Sequence, residues 1–278
     1  MQIILAKHSG FCEGVERAYK IALDAVSSKK PVFILGDLVH NKDVVHEFRE
    51  LGVKKADNIR SVPQGATLII TAHGTTPEIL DEARKLSLNV VDTTCPWVKR
   101  AQKLAEEISR SGRELLIVGD NGHPEVVGLV GWALGRARVV SGPKGLERLK
   151  LGEKAGIIAQ TTQSKDNFDE MVNEAKKRVK DLKVYNTICG ATSKRQCSAR
   201  DLSREVDLML VIGDKKSANT KRLLNVCSLE NVPTRQIQNA SELDLSWLKG
   251  KRKVGITAGA STPDHVIKEV VEKIKKYA

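Results

Sequence analysis

Aromatic residues are scarce in this chain: Phe, Trp and Tyr make up 4% of its 278 residues. A core with so few rings must be mostly aliphatic, which suits parallel strands buried on both faces. Long apolar runs are missing too, and no stretch approaches the ~20 residues that a membrane span needs. The opening residues, Met1 to Ala6, are too short for a signal peptide and read as a first strand. A cytoplasmic protein without a membrane segment is the expectation. Cysteines number only five, an odd count without dense spacing, which argues against a disulfide framework. They read better as metal ligands, nucleophiles or core residues. Low-complexity segments are absent.

Positive charge, in contrast, is abundant. The net charge is +12, from 46 Lys and Arg against 34 Asp and Glu. Nucleic-acid binding is the first reading of such an excess. The basic residues are spread along helices, as in Lys176-Lys177-Arg178 and Lys275-Lys276, without interleaved aromatics. That distribution argues against nucleic acid and suits an anionic substrate or an acidic protein partner.

The chain carries a threefold internal repeat. Cys12, Cys95 and Cys189 open three similar runs, and Cys12 and Cys95 share Val at +3, Arg at +5 and Ala at +6. A strand ending in Gly-Asp follows each. The same 24 residues separate Cys12 from Gly36, Cys95 from Gly119 and Cys189 from Gly213. Four residues after each glycine stands a polar side chain: His40, His123 or Ser217. Two further on stand Lys42, Glu125 and Asn219. Each unit closes on a strand and polar loop, around His73, Thr161 and Ser261. Alternating strand and helix predicts α/β architecture: three similar lobes with small, mostly parallel sheets in pseudo-threefold arrangement around a central site. The lobes are 13–95, 96–189 and 190–278, the last completed by strand 1–12. Ala137–Val140 and Thr234–Ile237 read as weak strands, and linkers are expected near Leu86-Ser87 and Lys180-Asp181. The strand before each cysteine could pair in its own lobe or in the preceding one.

Three equivalent cysteines from three equivalent lobes point to a metal site. An iron–sulfur cluster with one iron lacking a protein ligand fits, and so does zinc with three Cys and a water. His40, His73, His123, Ser217, Asn219, Ser261 and Thr161 follow strand ends, and such donors beside helix N-termini form a cage for phosphate oxygens. His8, His46 and His265 have no such register. Glu125 is the only carboxylate among its repeat equivalents. It reads either as a proton donor in an enclosed site or as a helix N-terminal residue stabilised by the dipole. Cys197 and Cys227 lack repeat partners and read as packing residues.

Eight motifs in order make a resemblance visible: Gly10-Phe11-Cys12-Glu13-Gly14-Val15-Glu16-Arg17-Ala18, Leu38-Val39-His40-Asn41, Thr71-Ala72-His73-Gly74, Asp92-Thr93-Thr94-Cys95-Pro96, Gly122-His123-Pro124-Glu125-Val126, Gln160-Thr161-Thr162, Asn186-Thr187-Ile188-Cys189 and Thr257-Ala258-Gly259-Ala260-Ser261. Together they resemble the 4-hydroxy-3-methylbut-2-enyl diphosphate reductase family, also called IspH or LytB, over almost the whole chain. The resemblance implies a trilobed α/β protein around a 4Fe–4S cluster held by Cys12, Cys95 and Cys189. It implies an allylic alcohol diphosphate as substrate, with His40, His73, His123, Thr161, Ser217, Asn219 and Ser261 around it. It makes Glu125 the proton-delivery residue and Thr161 its relay partner. Two electrons and protons then remove the hydroxyl as water. The products are isopentenyl and dimethylallyl diphosphate, in the last step of the non-mevalonate route to isoprenoids. Electrons come from an external ferredoxin- or flavodoxin-type donor, and a monomer or weak dimer is expected. Many family members carry a second Ser where this chain has Ala218, so one diphosphate hydrogen bond is expected to be missing. Competing readings are a hydro-lyase that uses an open iron without redox change, and an iron–sulfur sensor or nucleic-acid binder, which the lack of a recognition-helix or aromatic signature disfavours.

Overall fold

The computed structural model describes residues 1–27 and 30–277. In chain order its elements are β1 (Gln2–Leu5), α1 (Glu13–Val26), β2 (Val32–Leu35), α2 (Lys42–Glu50), β3 (Lys54–Ala56), β4 (Thr67–Ile70), α3 (Pro77–Lys85) and β5 (Asn89–Asp92). Then come α4 (Pro96–Arg110), β6 (Glu114–Val118), α5 (Pro124–Trp132), β7 (Ala137–Val140), α6 (Pro143–Glu147), β8 (Lys154–Ala159), α7 (Lys165–Lys176) and β9 (Asp181–Val184). The last are α8 (Gly190–Ser203), β10 (Leu208–Ile212), α9 (Ala218–Ser228), β11 (Thr234–Ile237), β12 (Lys253–Ala258) and α10 (Asp264–Tyr277).

The strands form three four-stranded sheets, ordered β3-β2-β4-β5, β7-β6-β8-β9 and β11-β10-β12-β1. Every strand pair is parallel. All three orders are one topology written three times. The strand before each cysteine takes the same edge in each: β5 pairs with β4, β9 with β8, and β1 with β12. The open question of strand pairing is thereby resolved in favour of the preceding sheet, and the N-terminal strand closes the C-terminal one.

Burial explains why these segments are strands. Of the inner strands, β6, β8, β10 and β12 are mostly apolar and almost wholly buried, as strands covered on both faces must be. Alternate residues feed opposite faces. Leu116 and Val118 of β6 join one apolar cluster with Phe168 and Met171 of α7, while Leu115 and Ile117 join another with Ala101, Ala105 and Leu129 of α4 and α5. The same division holds for Leu208, Leu210 and Ile212 against Met209 and Val211 in β10. Edge strands carry mixed side chains, and β7 and β11, the two weak strands of the sequence, are edges.

The two expected linkers are corrected. Leu86 and Ser87 form the turn from α3 into β5, with Ser87 at φ 52°, and Lys180 directly precedes β9. Both lie inside a sheet's own helix-to-strand connection. By compactness the chain falls into two units: Met1–Val15, His40–Val44 and Gly190–Ala278 in one, Glu16–Val39 and Val45–Cys189 in the other. The first holds one sheet and the second holds two. Among the described residues no helix is long and apolar enough to cross a membrane.

Candidate active site

The three cysteines are presented by one local construction. Each immediately precedes a helix: Cys12 before α1, Cys95 before α4, Cys189 before α8. Each backbone N–H donates to the carbonyl two residues past the end of the neighbouring strand. The partners are Ala260 for Cys12 at 3.2 Å, Ala72 for Cys95 at 3.1 Å and Thr161 for Cys189 at 3.0 Å. In the second unit the loop is fixed further. Asp92 and Asn186 accept the amides of Thr94 and Ile188, and Thr93 and Thr187 donate their hydroxyls to Ile70 and Ala159. These bonds spend the backbone's hydrogen-bonding capacity on the fold. What the loop offers is therefore the side chain at its tip, placed at a helix N-terminus where negative charge is favoured. All three cysteines are half-buried. Soft sulfur donors with this repeated backbone support suit iron or zinc.

Glu125 is the second residue of α5 and is 2% exposed. Its carboxylate accepts from Thr161 N at 2.6 Å and from Thr161 Oγ1 at 2.9 Å. Burial raises its pKa from the ordinary 4.5 to about 7, against the opposing pull of the Thr161 bonds, with Asp120 adding a further upward push. A carboxyl poised there can hold or release a proton near neutral pH. His123 caps the same helix, its Nδ1 accepting from Glu125 N at 3.2 Å. His73 meets His123 edge to face, with ring centroids 5.3 Å apart and planes at 88°.

In the other unit Ser217 caps α9 by accepting from Thr220 N, and its own O–H can still donate. Asn219 is 4% exposed, yet its Oδ1 and Nδ2 have no hydrogen-bond partner. A buried amide left this way is costly unless something else completes it. Ala218, the first residue of α9, is 3% exposed and offers no side-chain donor. Ser261 Oγ donates to the His40 carbonyl at 2.9 Å. It can donate to a phosphate only by giving up that bond. The approach of α9 to the sheet depends on Gly213 (φ 153°): a Cβ there would lie 2.5 Å from Thr220 Oγ1.

The predicted residues thus gather as Glu125 with Thr161, His73 with His123, and Ser261 with His40. Cys95 and Cys189 belong to one compact unit and Cys12 to the other. The spacing rule that aligned His40 with His123 and Ser217 needs revision. In the first loop the cap is Asn41, which accepts from Asp43 N and Val44 N. That loop is one residue longer, so the counterpart of Glu125 is Asp43 rather than Lys42. Glu125 is accordingly not the only carboxylate at its position, although it is the buried one. Cys227 is buried as expected; Cys197 is exposed and is not a packing residue. Sequence reasoning missed Thr220, which is fully buried with its hydroxyl unpartnered, and Arg195, a 6%-exposed arginine that reaches the Cys12 loop. Only the run Cys189 to Arg195 hinted at the latter.

Comparison with known proteins bears on the family and the fold. Residues 3–275 match the family described as LytB protein. A 4-hydroxy-3-methylbut-2-enyl diphosphate reductase of Citrifermentans bemidjiense is 46% identical over 99% of this chain and 97% of its own length. The enzyme of the same name from Caldanaerobacter subterraneus subsp. tengcongensis is 40% identical over 99% and 97%. Among solved structures, the E-1-hydroxy-2-methyl-but-2-enyl-4-diphosphate reductase of Plasmodium falciparum superposes with a TM-score of 0.93 at 28% identity, covering 98% of this chain and 87% of that one. An (E)-4-hydroxy-3-methyl-but-2-enyl diphosphate reductase structure, described as the terminal enzyme of the non-mevalonate pathway, gives 0.71 at 40% identity over 99% and 100%. On the family match, the identity over nearly its full length and the shared fold, this chain belongs to the LytB family of 4-hydroxy-3-methylbut-2-enyl diphosphate reductases.

Proposed function

We propose that the protein reduces 4-hydroxy-3-methylbut-2-enyl diphosphate to isopentenyl and dimethylallyl diphosphate. The observation that carries this reading is the threefold cysteine construction: the same strand edge, the same amide bond and the same helix start at Cys12, Cys95 and Cys189. Three such sulfurs, one from each of the lobes 13–95, 96–189 and 190–278 with 1–12, suit a 4Fe–4S cluster. When bound, that group would relay two electrons, one at a time, from the external donor and would leave one iron without a protein ligand.

The remaining work falls to the chain. The diphosphate is held by Ser217, Asn219, Ser261, His40, His73 and His123, with helix N-termini adding a positive field. The unpartnered amide of Asn219 is ready to donate Nδ2–H to a phosphate oxygen. Glu125 delivers a proton to the substrate hydroxyl, and Thr161 fixes the carboxyl by two bonds and can pass a proton along. The C–O bond breaks, the oxygen leaves as water, and the allylic carbon skeleton takes two electrons and a second proton. Atoms and charge balance as alcohol plus two electrons plus two protons giving hydrocarbon plus water. Electrons come from a ferredoxin- or flavodoxin-type protein, for which the basic surface is a suitable partner. The reaction is cytoplasmic, carried out by a monomer or weak dimer.

Anaerobic purification tests the reading. A brown protein with cluster absorption, turning over the allylic diphosphate with a reduced dye, is expected. Cys95→Ser should lose both. A colourless protein with no iron, or turnover that consumes no electrons, is the result that refutes it.

A further inference from the structure

Two described arginines are buried, Arg113 at 9% exposure and Arg195 at 6%. They reach neutrality differently. Arg113 Nη2 meets Asp181 Oδ2 at 2.6 Å. Arg195 has no such carboxylate among the described residues. Its Nη1 donates to Ala191 O at 3.2 Å, and its Nη2 to Gly10 O at 2.9 Å and Phe11 O at 3.0 Å. Its Nε is buried without a partner. Desolvating a guanidinium costs on the order of several kcal/mol, and carbonyl dipoles offset only part of that. A cation kept in such a place implies an anion that completes it.

The partners show which loop Arg195 holds. Gly10 and Phe11 are the two residues leading into Cys12, whose own N–H is held by Ala260. The peptide before Cys12 is therefore gripped at both ends, by Arg195 on its carbonyl and by Ala260 on its N–H. Arg17 repeats the arrangement more weakly. Five residues after Cys12, it donates from Nη1 to the carbonyl of Thr94, just before Cys95, at 3.4 Å. The helix after one cysteine thus sends an arginine to the peptide before another. The pattern stops at α4, where Arg100 lies over the Trp97 ring at 5.8 Å. Only the arginine serving Cys12 is buried.

Resting on the cluster reading above, we propose that Arg195 is a positioning residue of the metal centre: it fixes the Cys12 loop and is the buried cation that balances a negatively charged, cysteine-ligated cluster. Partners that support metal ligands typically change affinity by about 10- to 100-fold when removed. The anaerobically purified holoprotein, with R195Q, R195K and the control R113Q, tests this through iron loss to a chelator and the midpoint potential. R195Q should lose iron about tenfold faster and titrate at a more negative potential, because a nearby positive charge favours the more anionic reduced state. R195K should keep the wild-type potential, since the charge stays, and lose iron faster, since the fork is gone. R113Q should lower the melting temperature and leave both readouts unchanged. R195Q matching wild type in both, or R195K shifting as far negative as R195Q, overturns the proposal. Should R195Q fail to fold, R195K decides by itself: a shifted potential or unchanged iron retention overturns it. Wild-type protein lacking any cluster would refute the underlying reading and this proposal with it. That result is distinct, because it is read before any variant is made.

Discussion

Helices α5 and α9 open at the same point of two sheets with the same strand order, yet the second residue of each meets a different fate. In α5 it is Glu125, whose two carboxylate oxygens are both satisfied by Thr161. In α9 it is Asn219, equally buried, with both side-chain polar atoms unanswered. One opening is complete without a ligand and can hold or release a proton near neutral pH. The other is incomplete and has the hydrogen-bonding capacity to receive one. On the proposed function, the contrast would separate two jobs that a repeated fold otherwise duplicates: chemistry at one helix start, recognition at the other. Thr161 makes the difference, since its counterpart at the end of β12 is Ala260, which has no hydroxyl to give.

Breaking the first opening has the largest expected effect. Glu125→Gln keeps the shape and removes the exchangeable proton. General acid catalysis is typically worth about 10²- to 10⁴-fold, so kcat should fall by that order with KM nearly unchanged. A loss confined to KM would show that Glu125 binds rather than protonates. The same variant tests the buried carboxyl through stability. Below pH 4.5 the group is neutral in folded and unfolded chains alike; between 4.5 and about 7 the unfolded chain ionises while the folded one stays protonated. Its contribution to stability is present at low pH and is lost as pH rises through that window. The size is about 3 kcal/mol at 1.36 kcal/mol per unit. Denaturant melts of wild type should weaken from pH 4.5 to 7, and E125Q should lack that part of the slope. Parallel curves for the two proteins would place the titration elsewhere.

Much of this arrangement is legible in the chain, and the parts that are not have physical reasons. The aliphatic runs at Leu115–Val118, Leu208–Ile212 and Val254–Ala258 declare buried strands because two-sided burial admits little else. The equal spacing from cysteine to glycine exposes the repeat. The extra residue before α2 stays hidden, because a cap depends on which side chain folds back on the helix, and His40 and Asn41 are both able to do so. The supposed linkers misled for a related reason. A polar turn between a helix and an edge strand has the same composition as a joint between domains. Arg195 could not be singled out from its neighbour Lys194, since burial of a long cation depends on which side of α8 meets the Cys12 loop. Sequence alone leaves Glu125 between acid and dipole partner, and the Thr161 bonds and its enclosure weigh on the side of the acid.

Breaking the second opening should act on binding and spare the fold. Asn219→Ala removes a buried amide that makes no protein hydrogen bond, so folding stability should hold or rise. Affinity for inorganic diphosphate, measured by calorimetry, should fall by about tenfold or more, as expected when a hydrogen bond to a charged group worth ~1.5–3 kcal/mol is lost. Equal losses of stability and affinity would mean that Asn219 is structural, and the contrast with Glu125 would collapse.

The smallest effect comes one residue further along. The third residue of α5 is Val126 and that of α9 is Thr220, both fully or almost fully buried and both packed against the glycine that ends the inner strand. The two side chains have nearly the same shape, but the threonine hydroxyl has no partner. Leaving such a group unpaired costs roughly 1–3 kcal/mol, against little change in packing for Thr to Val. Thr220→Val should therefore raise the unfolding free energy of the unliganded protein by about 1 kcal/mol. If the hydroxyl is idle, diphosphate affinity is unchanged and α9 simply becomes more like α5. If affinity drops together with a gain in stability, the hydroxyl is kept unsatisfied for the ligand, and the recognition side of the comparison extends from Asn219 to Thr220. A loss of stability would show that the hydroxyl is already satisfied, which would contradict the geometry on which the contrast rests.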